Sequence, residues 1–135
     1  MSERKKELII EFEYLEKQIQ TTTEKLDALD KQAIQLKSSI DAITILSAKS
    51  EHESLVPIAN GVYVEATVKN TKKFVVDVGS DVAVPKTSEE ALDIFEVQLA
   101  ATHEYQEKII QRLESLSKRA DQLQHELMKI SRGEA

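Results

Sequence analysis

Residues 74–87 read FVVDVGSDVAVPKT. Phe74, Val76 and Val78 share a face, Gly79-Ser80-Asp81 turns the chain, and Val82 and Val84 return. Apolar alternation at a period of two around a Gly/Ser/Asp turn marks a β-hairpin. The hairpin stops sharply. Pro85 interrupts it, and Thr87-Ser88-Glu89-Glu90 spells a capping box, with Thr87 as N-cap and Glu90 three positions on. A short β element that runs straight into a helix start organises the chain on both sides of it.

Upstream, residues 62–68 (VYVEATV) alternate again. Val62, Val64, Ala66 and Val68 fall on one face; Tyr63, Glu65 and Thr67 fall on the other. Asn60-Gly61 before them and Lys69-Asn70-Thr71 after them are turn material. Ser54–Ile58 supplies a partner strand. Residues 55–86 therefore read as two β-hairpins.

The flanks read as two long helices, residues 1–50 and 87–132. From Leu8 the first steps four and three without a slip through Leu8, Phe12, Leu15, Ile19, Thr22, Leu26, Leu29, Ala33, Leu36, Ile40, Ile43 and Ser47. The second runs through Leu92, Phe95, Leu99, Thr102, Gln106, Ile109, Leu113, Leu116, Ala120, Leu123, Leu127 and Ile130. A sustained 3.5-residue repeat keeps one narrow apolar stripe facing a partner helix. Asp27–Lys31, Glu13–Lys17, Glu104–Lys108 and Glu114–Lys118 place acid before base four residues apart, the favourable order on a solvated face. The two arms have equal numbers of seam positions and a compact joint, so they pair antiparallel with each other. Placing Ser47 near Leu92 and Leu8 near Ile130 makes paired positions add to about 139. In that register Gln106 faces Ala33 and Thr22 faces Leu116. Gln106 then either fixes register at some cost in stability or marks a wet stretch of seam.

Composition agrees. The chain has 135 residues, 31% charged and only 4% aromatic, with no Trp. That is too few large side chains for a thick core and suits thin helical layers in one subunit. With no cysteine, disulfides and thiolate metal sites are excluded, which fits a cytoplasmic setting. No apolar run approaches the ~20 residues of a membrane span, and the first residues carry no secretory signal. The net charge of −6 is spread out, without a basic stripe, so neither a membrane nor nucleic acid is an expected partner.

Two hairpins of this size leave an apolar face and open edges, which invite pairing with another chain. Val62, Val64, Val68, Phe74, Val76, Val78, Val82 and Val84 are thus candidate oligomerisation residues. The bland alternative is a small sheet folded onto its own helix ends. The fold class is mostly α: a long antiparallel coiled-coil hairpin whose central insertion of two β-hairpins joins a shared sheet or an oligomeric β-barrel.

SLVPIANGVYVEATV (residues 54–68) and FVVDVGSDVAVPKTSEEA (residues 74–91), set between two heptad arms, resemble the α-class subunits of prefoldin over the whole chain. The two-hairpin count is what marks the α class. The resemblance implies that two α-class and four β-class subunits assemble through β-barrels, with six coiled coils hanging from them. It also implies that the coiled-coil tips hold unfolded proteins and pass them to a group II chaperonin without ATP.

Apolar residues off the seam near the far end of the arms are the candidate contacts for such clients. Ile10, Tyr14 and Met128 sit at outward heptad positions; Leu8, Leu127 and Ile130 lie in the last seam turns, where helices fray. Methionine suits adaptable contact. Scattered surface hydrophobes are also normal, so these residues alone do not decide the matter. His52, His103 and His125 are far apart in sequence, and VGSD lacks the phosphate-loop pattern, so no cofactor, metal or catalytic group is expected. The rival to a client-holding chaperone is a coiled-coil spacer or a homo-filament that uses the same β segment differently.

Overall fold

A computed structural model describes residues 2–133; Met1, Glu134 and Ala135 lie outside the described residues. The elements run α1 (Glu3–Ser47), β1 (His52–Ala59), β2 (Val62–Val68), β3 (Lys73–Asp77), β4 (Ala83–Thr87) and α2 (Ser88–Ser131). These are the two long helices and the two inserted hairpins that the periodicities predict. β1 begins at His52, earlier than residue 55, because the ladder continues through Glu53↔Thr67 to His52↔Val68 without apolar alternation to announce it. The strands form two separate two-stranded antiparallel sheets, β1–β2 and β3–β4.

The chain divides into two compact units, Met1–Ala33 with Ala101–Ala135, and Ile34–Ala100. In the first unit α1 and α2 meet along the heptad seam. Leu8, Leu15 and Leu123 form its buried cluster, with Phe12, Leu116, Leu127 and Ile130 packed against it. Fully burying one leucine is worth roughly 1.5–3 kcal/mol, so this short stretch contributes much of what holds the two helices together. Three cross-helix pairs give the direction. Asp30 meets Gln106, Glu11 meets Arg119, and Arg4 meets Glu126. As one position falls the other rises, so the helices are antiparallel.

The same pairs correct the expected register. Gln106 Nε2 donates to Asp30 Oδ1 at 2.6 Å instead of resting opposite Ala33. Arg119 donates to both carboxylate oxygens of Glu11, at 3.0 and 3.3 Å. Glu11, Arg119 and Glu126 each precede a seam residue, and flanking positions of this kind carry the ion pairs of a coiled coil. The bonded positions add to 136, 130 and 130, all below the expected value, so the arms are displaced along the seam from that register. Counting seam positions inward from both ends could not find this, because a slip of one turn leaves every seam residue on the seam. None of the four same-helix charge pairs expected from spacing is among the ion pairs of the described residues, which are Arg4–Glu7, Arg4–Glu126, Lys6–Glu3 and Arg119–Glu11.

In the second unit Ile43, Val76 and Ala91 are buried together, with Phe74, Leu92 and Phe95 packed on them. The inward face of β3 is therefore used to seat the second hairpin on the helices. Its turn holds Gly79, Ser80 and Asp81 all at positive φ. The Val82 N–H donates to Gly79 O, and the Gly79 N–H to Asp77 Oδ1. The capping box forms as read. The Thr87 N–H donates to Glu90 Oε1 at 3.0 Å, and the Glu90 N–H donates to Thr87 Oγ1 at 3.1 Å. The first hairpin contributes no residue to either buried cluster among the described residues.

Candidate functional site

The surface that stands out is the first hairpin. Its register pairs Val56 with Val64 and Leu55 with Glu65, so consecutive pairs point to opposite faces of the ribbon. Val56, Val64 and Val62 lie exposed on one face; Leu55 and Tyr63 lie exposed on the other. A register shift between Pro57 and Ala59 leaves Ile58 at a bulge, where it is exposed too. A two-stranded ribbon with large apolar groups on both faces has nothing of its own to bury them against. Isolated ribbons of this size are marginal in water. Its outer backbone edges are unpaired, since β1 and β2 bond only to each other. Open edges and apolar faces are what strand pairing with another chain uses.

The eight candidate oligomerisation residues separate into groups. Val62, Val64, Val78 and Val82 are exposed. Val68 and Val84 are half-buried. Val76 is buried and Phe74 packs beside it, both within the chain's own cluster. The two readings of the β segment therefore divide between the hairpins: the second folds onto its own helices and the first does not. Leu55, Val56, Ile58, Tyr63 and Val75 are exposed apolar groups that the candidate oligomerisation set leaves out, Val75 being 72% exposed. The signal for the β1 residues was present in LVPI. A proline in the run hid its alternation, because proline within a strand points to an edge and weakens the pattern.

At the end of the first unit where α1 begins and α2 stops, the six candidate contact residues also divide. Ile10 and Met128 are exposed, at 68% and 48%, and Tyr14 is exposed as well. Leu127 and Ile130 are half-buried against the seam cluster. Leu8 corrects the expectation of a frayed last turn: it is 0% exposed, inside the cluster with Leu123. The reason is apolar packing, since Leu127 and Ile130 lie against the cluster that holds it.

Among the described residues no group of three or more His, Asp or Glu side chains is placed to hold a metal ion. No described helix is long and apolar enough to cross a membrane. His103 Nδ1 donates to Gln106 Oε1 at 2.9 Å, which joins it to the Gln106–Asp30 pair as a seam-side polar chain.

The family described as Prefoldin subunit matches residues 15–133. The chain is 28% identical over 129 residues to prefoldin subunit alpha of Methanococcus vannielii, covering 96% of this chain and 87% of the relative. It is 30% identical over 119 residues to prefoldin subunit alpha of Archaeoglobus fulgidus, covering 88% and 75%. A cryo-EM structure of filamentous PFD from Methanocaldococcus jannaschii shares the fold, with a TM-score of 0.71 at 24% identity, over 84% of this chain and 95% of that one. With its heptad arms, its two hairpins and its relatives in agreement, the chain belongs to the prefoldin family of chaperone subunits, in the alpha class.

Proposed function

We propose that the chain acts as a single prefoldin-like subunit, the α-class member of a hetero-hexamer of two α and four β subunits joined through β-barrels. In this reading the first hairpin enters the shared barrel and the coiled coil projects from it. Ile10, Tyr14 and Met128, flanked by Leu127 and Ile130, hold unfolded proteins for transfer to a group II chaperonin. The work is a cytoplasmic holdase activity without ATP, cofactor or metal, and no covalent chemistry is required of any side chain.

The observation that carries the proposal is the first hairpin, apolar on both faces, unpaired at both edges and seated on no core of its own chain. A surface of this kind is stable in water once another chain covers it. The same open edges also suit pairing with further copies of this chain, so a homo-filament is the second reading. Light scattering separates them. Co-expression with a β-class prefoldin subunit is expected to give a mass matching two copies of this chain plus four partners. Long polymers of this chain alone, indifferent to the partner, overturn the hexamer in favour of the filament.

A further inference from the structure

The first hairpin must point in a definite direction to meet a partner, yet among the described residues it places no side chain in a buried cluster. What joins it to the rest of its unit is two short crossings, residues 48–51 and 69–72. The hydrogen bonds concentrate there. Thr71 Oγ1 donates to Lys49 O at 2.6 Å, and Thr71 is only 6% exposed. Lys49 lies three residues before β1 and Thr71 three after β2, so this bond closes the base of the hairpin. The Lys72 ammonium donates to Ser47 O, the last residue of α1. Helix α1 has no basic residue of its own in its last turn, so a cation from the far side of the hairpin takes that role. The Lys72 N–H donates to Asn70 Oδ1 at 3.0 Å, which tightens the turn. Lys72 O accepts from the N–H of Ser88, the first residue of α2, at 3.0 Å. Two consecutive residues thus bind the end of one helix, the start of the other, and both crossings into the hairpin.

We infer that Thr71 and Lys72 form a clasp that aims the first hairpin and so positions it for partner chains. They touch no partner themselves; they act through the hairpin. The inference rests on the assembly reading above and adds to it which residues orient the docking strand. Thr71 is buried and its bond is half-buried, so loss of the hydroxyl removes the protein donor to Lys49 O at the hairpin base.

The test compares Thr71→Val, which keeps the shape and removes the donor, with Thr71→Ser, which keeps the donor. Lys72→Met and Lys72→Arg form the parallel pair. Each full-length variant is titrated with a β-class prefoldin subunit, and amide hydrogen exchange of residues 52–68 is read in the free chain. Thr71→Val is expected to weaken assembly about tenfold, the scale of one hydrogen bond. It is also expected to speed exchange at the hairpin base while leaving helical circular dichroism unchanged. Thr71→Ser is expected to restore both readouts, and Lys72→Arg to restore what Lys72→Met loses. Wild-type assembly by Thr71→Val, or no rescue by Thr71→Ser, overturns the clasp and leaves the assembly reading standing. A wild-type chain that never binds the partner sinks the assembly reading and overturns this inference with it.

Discussion

Glu90 shows how one side chain can carry a pH dependence here. Its carboxyl is held below its ordinary value, first by the Thr87 backbone N–H and then by the Thr87 side chain, with Lys86 adding to the effect. A carboxylate whose folded-state value is depressed contributes stability above its unfolded value and loses it as pH falls through the folded one. The start of α2 is therefore expected to loosen in acid, below the usual carboxylate range. Glu90→Gln keeps an acceptor for the Thr87 N–H and is expected to abolish that pH dependence, as followed by thermal melts across acid pH. Thr87→Ala removes the reciprocal cap and is expected to cost about 1 kcal/mol at neutral pH. Thr22 behaves differently. It is buried in the seam although polar, and no structural reason for a threonine there is evident.

At the scale of elements, the two hairpins have nearly the same local chemistry and different surroundings. The second is held by its inward face, where Val76 joins Ile43 and Ala91, and by a turn that depends on backbone geometry. Gly79 stands at φ +102° with open space around its missing side chain. Alanine there meets no neighbour, so its cost comes from the backbone alone. Gly79→Ala is expected to destabilise the protein by roughly 1–3 kcal/mol, read by chemical denaturation. The first hairpin turns at Asn60-Gly61, with Gly61 at φ +78°, and lies open on both faces. Side-chain alternation is visible in both sequences. Which of them a core covers depends on contacts with residues far along the chain.

For the whole molecule, assembly and client holding are assigned to different surfaces and so should separate by mutation. Leu55→Ser with Tyr63→Ser is expected to keep helical content and lower the co-expressed mass. Substitution of exposed side chains outside caps and networks usually changes stability by no more than ~0.5 kcal/mol. Ile10→Ser, Tyr14→Ser and Met128→Ser together are expected to leave the mass unchanged and weaken suppression of aggregation of a denatured test protein. If the triple variant suppresses aggregation as the wild type does, the assignment of clients to these residues is wrong. Leu8 is left out of that set on purpose. It is buried with Leu123, so replacing it would open the helix pair and confuse a contact effect with a folding one.

Periodicity, turn residues and a capping motif determined the helices, the hairpins and the N-cap of α2, and equal seam counts around a compact joint determined the antiparallel pairing of the arms. Each of these is a local pattern repeated often enough, or a cap specific enough, to override competing signals. Exposure of Ile10, Tyr14 and Met128 was legible for the same reason, since they occupy the f, c and b heptad positions, which face away from the seam. Tertiary structure decided three further matters. It chose the register, because seam positions repeat every turn and only the side chains that meet across the helices, such as Arg119 and Glu11, tell one turn from the next. It divided the β segment, burying Val76 and leaving Val62 and Val64 open. It also placed Lys72 on the carbonyl of Ser47, which ends α1, and Thr71 on that of Lys49 just beyond it, although both are ordinary loop residues in sequence. Unsatisfied backbone groups must find donors, and the sequence does not show which distant side chain will supply them.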